Sequence, residues 1–223
     1  MQIKKSLLLL IFLLFGSLVL FSSLTAKDLP KALLIGDSIS LGYAPHVVNA
    51  LKGKVEVVHH RGNAQHTGIG LKMLDRWVGK TQWDVIHFNW GLWDLCYRHP
   101  QSKEQGNRDK QRGMLTTSLE QYEKNLDKLA TRLKKTKAKL IWAHTSSVPT
   151  GEAGRKLGDD DSYNEAATRV MKKHGIRIND LNSLTDEFPP ELFVKPGDVH
   201  YKSEGSKKIG QAVVKEISTV LGF

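Results

Sequence analysis

The sequence predicts one α/β domain in which a parallel sheet is covered by helices on both faces. Short apolar or β-branched runs alternate with segments whose apolar residues recur at helical spacing, and this alternation is typical of parallel sheets. The 223 residues, 40% of them hydrophobic, suffice for one sizeable core, and no internal repeat divides them. The first predicted strand, 32–35, is apolar throughout, as expected of a strand that is buried on both faces.

The other elements follow in the same alternating order. The predicted strands are 32–35, 55–60, 84–90, 139–144 and 176–181. The predicted helices are 46–51, 68–78, 119–133, 163–173 and 207–221. Because the loops 98–113 and 148–160 follow the third and fourth strands, we expect both at the edge where the carboxyl ends of the strands lie.

Asp37 and Ser38 follow the first strand directly. Open α/β sheets bind their ligands here, outside the carboxyl ends of the strands. A serine near the start of a helix also lies where the helix dipole stabilises developing negative charge. The alternative is that Ser38 only caps the helix. Because Gly42 and Pro45 interrupt the pattern, we expect the regular helix to begin at His46.

Asp198 and His200 lie near the other end of the chain, in a loop with Pro196 and Gly197. A turn of this kind can present both side chains without burying them inside an element. Acyl transfer requires a serine, a histidine that removes the serine proton, and an acid that orients the imidazole. Ser38, His200 and Asp198 are therefore the candidate catalytic residues.

At these two motifs the sequence resembles the SGNH/GDSL hydrolases. The segment 36–40, Gly-Asp-Ser-Ile-Ser, is similar to the first block of that family, Gly-Asp-Ser-Leu-Ser, and the loop with His200 is similar to its last block. The order and spacing of the blocks extend the resemblance over nearly the whole chain after residue 26. The resemblance implies a single-domain, flavodoxin-like α/β/α fold with five parallel strands in the order 2-1-3-4-5. We expect a carboxylic ester hydrolase without a cofactor.

Two middle blocks depart from the family pattern, and both concern the oxyanion hole. Gln65 stands where the family has a glycine that donates its backbone N–H. Either residue has such an amide, and the Asn63 side chain is a second candidate donor. In the third block, Trp93 replaces the family's asparagine. Its indole N–H is a candidate donor, and Asn89 is the other possible substitute.

The last block differs in the position of its acid. The family has an acid three residues before the histidine, where this chain has Gly197. Asp198 lies two residues before His200, and residues two apart in an extended loop project to the same side. The acid therefore reaches the imidazole only through a local bend. The alternative is that a backbone carbonyl or a water orients His200.

The other reactive side chains favour structural roles. His59, His60 and His66 are close in sequence, but adjacent histidines on a strand point in opposite directions and no carboxylate or cysteine spacing completes a site. We therefore predict no metal. Cys96, the single cysteine, is typical of a small buried residue rather than a nucleophile.

Residues 1–26 have the three parts of a secretory signal peptide: two lysines, an apolar run, and small residues up to Ala26. The mature domain is then 27–223, exported to the periplasm or the extracellular space without stable insertion in the membrane. The alternative is an uncleaved leader that anchors the chain. The full chain has a net charge of +10, and loss of the two lysines of the leader leaves +8. For an exported basic chain, an acidic polysaccharide or an anionic lipid is a more natural partner than nucleic acid.

Two classes of function fit these features. The first is a secreted serine esterase that hydrolyses short acyl esters, with O-acetyl groups on carbohydrate as its substrate. The second is a non-catalytic polysaccharide-binding relative with a decayed oxyanion hole. We favour the esterase, because a binding module needs no serine–histidine pair. We then expect the edge of the site to be lined by Trp93, Arg98, Arg108 and Arg112, and to bind an acidic or sulfated glycan. The alternative is that the arginines only keep their loop solvated.

Overall fold

The computed structural model describes residues 28–223. The predicted leader, 1–26, and its cleavage site after Ala26 lie outside the described residues. None of the helices in the described part of the chain is both long and apolar enough to cross a membrane.

A parallel sheet of five strands forms the centre of the structure. Its strands are β1 (Lys31–Ile35), β2 (Glu56–His59), β3 (Val85–Phe88), β6 (Lys139–Ala143) and β7 (Arg177–Asn179). They pair in the order β2-β1-β3-β6-β7, which confirms the predicted order. The two strands between β3 and β6 in sequence, β4 (Tyr97–Arg98) and β5 (Met114–Leu115), form a separate antiparallel hairpin.

Helices cover both faces of the sheet. They are α1 (Ser38–Ala50), α2 (Thr67–Val78), α3 (Leu119–Lys134), α4 (Asp159–His174), α5 (Leu181–Asp186) and α6 (Ser203–Leu221), with 3-10 turns at Gln105–Asn107 and Pro190–Leu192. α1 packs against α6, and α3 packs against both α2 and α4. The predicted three-layer α/β/α domain is thereby confirmed.

The core lies on both sides of the sheet. Every residue of β3 is buried, and the Trp90 and Trp142 side chains are fully enclosed next to it. α3 buries one stripe of side chains against the sheet: Tyr122, Asn125, Leu126, Leu129, Ala130 and Leu133. Full burial of a large apolar side chain contributes about 1.5–3 kcal/mol, so this stripe stabilises α3 more than its intrinsic helix propensity does.

The first helix begins at Ser38, so the predicted start at His46 was wrong. The Asp37 carboxylate caps the helix by accepting a hydrogen bond from the Ile39 N–H, with 3.0 Å between Oδ1 and N. Pro45 lies inside the helix, where its ring removes one backbone donor. Ser38 is therefore the first residue of a helix, next to the positive end of the helix dipole.

Gly42 does not end α1. It lies where α1 contacts α6. A Cβ at this position would lie 3.0 Å from the Oγ of Ser206, so the missing side chain lets α1 and α6 approach closely. α6 starts at Ser203 and α4 at Asp159, both earlier than predicted. The first turns of α4 and α6 are polar, so a prediction based on the spacing of apolar residues does not include them. Acidic residues are nevertheless favourable at a helix N-terminus.

Asp94 connects the turn after β3 to α2 and α3 through a fully buried carboxylate. It accepts hydrogen bonds from the N–H and the hydroxyl of Thr67, at 3.0 and 2.6 Å. Asn125 of α3 donates to the same hydroxyl at 2.9 Å. Burial raises the pKa of Asp94 to about 7.

The raised pKa of Asp94 predicts a change of stability with pH. Between pH 4 and 7 the carboxyl stays protonated in the folded state and ionises in the unfolded state, so its contribution to the free energy of unfolding falls as the pH rises, by up to roughly 1.4 kcal/mol per pH unit. Asp94→Asn lacks this titration. Urea unfolding at several pH values should therefore show wild type losing stability relative to Asp94→Asn from pH 4 to 7. A difference that is independent of pH would contradict the assignment.

Candidate active site

Ser38 and His200 meet at the edge of the sheet where the parallel strands end. Ser38 Oγ lies 2.9 Å from His200 Nε2, although the two residues are 162 positions apart in the chain. His200 comes from the loop before α6, which crosses the same edge as the turn between β1 and α1. The His200 side chain is 33% exposed and Ser38 is half-buried, so a ligand can reach the pair from solvent.

Asp198 holds the imidazole from the other side. Its Oδ1 lies 2.6 Å from His200 Nδ1 and also accepts the backbone N–H of His200 at 3.0 Å. Gly197, with φ of +71°, makes the local bend that this contact requires. Burial opposes ionisation of Asp198, but its hydrogen bonds with His200 and the positive charge of Arg108 lower the pKa of the carboxyl below its usual range.

This arrangement can move a proton away from a serine hydroxyl. An ionised Asp198 only accepts hydrogen bonds, so Nδ1 of His200 carries the proton and Nε2 presents its lone pair to Ser38. The structure thus brings together all three candidate catalytic residues, and it places a carboxylate at the Nδ1 of His200, where a carbonyl or a water was the alternative.

The turn that carries Ser38 is held from the end of β2. His60 Nε2 donates to the Gly36 carbonyl at 2.9 Å. The Ser40 hydroxyl lies 2.7 Å from the carbonyl that precedes Ser38 and 2.7 Å from His59 Nε2. Burial lowers the pKa of His59 to about 4, so this histidine is neutral at physiological pH. In the part of the chain that the structure describes, no group of three or more His, Cys, Asp or Glu side chains could hold a metal ion.

The candidate oxyanion donors after β2 bind to each other. The Gln65 N–H donates to Asn63 Oδ1 at 2.8 Å, and Gln65 has φ of +51°. The Gln65 amide is thus not a free donor, although Gln65 does adopt the left-handed backbone that glycine adopts most easily. The Nδ2 of Asn63 makes no hydrogen bond within residues 28–223.

Asn89 and Trp93, the other two candidates, differ in their availability. Asn89 Nδ2 donates to the carbonyl of Ala143 at 2.8 Å, so this amide is engaged at the end of β6. Trp93 is half-buried, with the guanidinium carbon of Arg98 at 4.1 Å from its ring centroid. Its Nε1 has no hydrogen-bond partner among the described residues. The Ser38 N–H, as the first amide of α1, has no partner within the helix.

Arg98 at the end of β4 and the two arginines of the loop after it, Arg108 and Arg112, do not form one exposed rim. Arg108 is buried and its Nη1 lies 2.9 Å from Glu152 Oε1, so its predicted place in a solvent-facing rim was wrong. Arg112 is exposed but pairs with Asp109 of its own loop at 2.7 Å. Arg98 alone of the three lies on Trp93.

The loops after β3 and β6 are joined to each other and to the His200 loop. The Tyr97 N–H donates to the Gly154 carbonyl at 2.6 Å. Gly151 packs directly on Gly197, since a Cβ built at Gly197 would lie 2.6 Å from the Gly151 carbonyl oxygen. Three chain segments that are distant in sequence therefore determine together where His200 lies.

The fold is that of the SGNH/GDSL hydrolases, as the sequence motifs predict. Among solved structures, the lipase/acylhydrolase from Enterococcus faecalis superposes with a TM-score of 0.69 at 19% identity, over 86% of this chain and 96% of that one. The acetyl xylan esterase AlAXEase gives 0.67 at 15% identity, over 84% of this chain and 99% of that one. A variant of Axe2, an acetyl-xylooligosaccharide esterase from Geobacillus stearmophilus, gives 0.66 at 18% identity, over 87% and 94%. No sequence-family model and no curated protein sequence matches the chain.

The contact between Gly197 and Gly151 predicts a specific effect of a methyl group. Gly197→Ala introduces a side chain at positive φ and against a carbonyl, whereas Gly175→Ala, with φ of +66° and open space around it, has only the backbone strain. We expect Gly197→Ala to lower the free energy of unfolding by about 1–3 kcal/mol more than Gly175→Ala does, because a main-chain segment must move. Urea unfolding of the two variants measures this. Equal losses would contradict the close contact.

Proposed function

We propose that the chain is a serine esterase that hydrolyses short acyl esters through an acyl-enzyme. The hydrogen-bonded chain from Ser38 through His200 to Asp198 is the observation that carries the proposal. His200 Nε2 accepts the Ser38 proton as Oγ attacks the ester carbonyl, and returns it to the departing alcohol. His200 then takes a proton from the water that attacks the acyl-enzyme, and returns it to Ser38 Oγ as the acid leaves. Asp198 keeps Nδ1 protonated and stabilises the imidazolium.

The start of α1 supplies part of the oxyanion hole. The Ser38 N–H is adjacent to the attacking oxygen, and the dipole of α1 favours negative charge there. We assign the second donor to Trp93 Nε1, because this N–H has no other partner among the described residues and stands at the family's asparagine position. Asn63 Nδ2 is the remaining candidate, since the Gln65 and Asn89 donors are engaged.

A short acyl group on a carbohydrate is the substrate that the surroundings favour. A long acyl chain requires a continuous apolar trough, whereas the segment 98–113 at this edge is polar and basic. Half-buried Trp93 supplies an aromatic side chain for contact with a sugar ring, and Arg98, which lies over that ring, suits a carboxylate or sulfate. Two structural neighbours are esterases of acetylated xylan or xylooligosaccharide, which supports O-acetyl glycans as substrate.

A non-catalytic polysaccharide-binding protein is the second candidate. The engaged amide of Gln65 favours it, because that N–H stands where the family places an oxyanion donor. The esterase remains our proposal, since a binding protein has no use for the contact between Ser38 and His200. We further propose that residues 1–26 export the chain to the periplasm or the extracellular space, where such glycans occur, or that they anchor it in the membrane if the leader is not cleaved.

The serine mechanism predicts that Ser38 reacts with a fluorophosphonate. Mass spectrometry of the labelled protein should locate the adduct on Ser38, and His200→Ala should prevent labelling. Ser38→Ala, His200→Ala and the double variant should each lower kcat on p-nitrophenyl acetate by a similar factor, on the order of 10³ or more, because the two residues act as one unit. An unlabelled Ser38 in an otherwise folded protein would favour the binding protein. Losses that multiply in the double variant would contradict a shared proton transfer.

The proposed substrate predicts a preference for short acyl chains and a role for Arg98. p-Nitrophenyl acetate should be cleaved faster than the octanoate. Arg98→Ala should slow acetyl release from an O-acetylated acidic glycan by about two- to fivefold more than it slows p-nitrophenyl acetate hydrolysis, as expected for a partly exposed charge pair with the glycan. The ratio of the two rates is the measure, because Arg98 also packs on Trp93. Arg112→Ala is the matched control, because Arg112 pairs within its own loop. Faster octanoate cleavage, or equal effects of the two arginine variants, would overturn the substrate assignment.

A further inference from the structure

Glu152 is a fully buried carboxylate that binds two arginines. Its Oε1 accepts Arg108 Nη1 at 2.9 Å and Arg155 Nη1 at 2.8 Å, and its Oε2 accepts the Gly154 N–H at 2.6 Å. Arg108 and Arg155 are themselves buried. We call these three residues the arginine triad. It consists of two positive charges and one negative charge, so one positive charge is left in excess within the protein.

Such a group is not explained by stability. Removing charges from water costs several kcal/mol for each ion, and well-packed apolar side chains often serve at least as well. Sequence reasoning did not identify Glu152 or Arg155, because a buried acid in a loop has no periodic signal. The triad therefore calls for a role that apolar residues could not have.

The triad is connected to two of the loops that form the site, to one by a hydrogen bond and to the other by packing of the neighbouring Gly151. Arg155 Nε donates to the Leu92 carbonyl at 2.7 Å, directly before Trp93. Glu152 follows Gly151, which packs on Gly197 next to Asp198. One carboxylate thus connects the loop that carries Trp93 with the contact that locates the His200 loop.

The positive charges of the two arginines favour the ionised form of two carboxylates at the site. Hydrogen bonds with His200 and the charge of Arg108 lower the pKa of Asp198 against the opposing effect of burial. Burial raises the pKa of Asp37, and the hydrogen bond from the Ile39 N–H, followed by the charge of Arg155, partly offsets this. Each arginine thus acts on a different one of the two carboxylates, one at His200 and one at the start of the Ser38 helix.

We propose that Arg108, Glu152 and Arg155 are positioning residues, which hold the loops that carry Trp93 and His200 in place relative to Ser38. The inference rests on the proposed serine-esterase function, which it extends to residues that touch neither the substrate nor the reacting atoms. It predicts effects on kcat and on the pH profile, because the groups that carry out the proton transfer depend on the triad.

The test uses variants of Glu152 and Arg108 that separate the effect of side-chain charge from the effect of side-chain volume. Glu152→Gln keeps the volume and removes the negative charge. Arg108→Met keeps much of the volume and removes the positive charge. Arg108→Lys keeps the charge but lacks the planar guanidinium group. Arg169→Met and Glu123→Gln are the controls, because they break an equally close arginine–glutamate pair, with Nη2 and Oε2 at 2.8 Å, on the exposed surface. Circular dichroism and thermal unfolding establish that each variant is folded at the assay temperature.

We expect Glu152→Gln to lower kcat on p-nitrophenyl acetate by about 10- to 100-fold with little change in KM, as for a misplaced catalytic group. Arg108→Met should move the acid limb of kcat/KM to higher pH, because the charge that opposes protonation of Asp198 is lost. Arg108 is the arginine whose charge acts directly on Asp198. Arg108→Lys should restore the wild-type limb, and both controls should behave as wild type.

Two results separate failure of this inference from failure of the proposed function. If wild type is inactive and Ser38 is not labelled by a fluorophosphonate, the esterase assignment fails. If wild type is active while folded Glu152→Gln and Arg108→Met keep its kcat and its acid limb, the positioning role is overturned. A loss of activity in Arg108→Met with an unchanged acid limb, not restored by Arg108→Lys, would also overturn the electrostatic part of the proposal.

Discussion

All strands of the main sheet run in the same direction, and the site depends on this constraint. In a parallel sheet every strand ends at the same edge, so the turn after β1 and the loops after β3 and β6 come together there. The His200 loop reaches this edge because α6, which follows it, packs beside α1. The 2.9 Å contact between Ser38 and His200 is a consequence of that topology and not of any local sequence.

Polar contacts organise this edge more than apolar ones do. The carbonyls of the Ser38 turn are held by His60 and Ser40, and the turn after β3 is held to α2 by Asp94. Each of these groups is buried, and an unpaired buried polar group would be costly, so the network tolerates few alternative arrangements. Such rigidity is what proton transfer over a fixed distance requires.

The oxyanion hole is where the chain departs most from the family it resembles. Gln65 adopts a positive φ, yet its amide is occupied by Asn63, and Asn89 is occupied by Ala143. The donors that remain are the first amide of α1, the Trp93 indole and the Asn63 amide. The proposed hole, with an indole N–H as its second donor, has a more hydrophobic wall than one with an asparagine.

The sequence by itself determined the α/β class, the strand order through its resemblance, and the nomination of Ser38, His200 and Asp198, because apolar periodicity and short motifs are local signals. It placed the start of α1 too late, because a glycine such as Gly42 usually interrupts a helix. Here Gly42 lies inside α1, where α6 packs on it. It assigned Arg108 to the surface, although Arg108 pairs with Glu152 inside the protein. Only the tertiary structure decided these points, because burial and the pairing of charges depend on which loops meet, and segments far apart in the chain meet only once the sheet has formed.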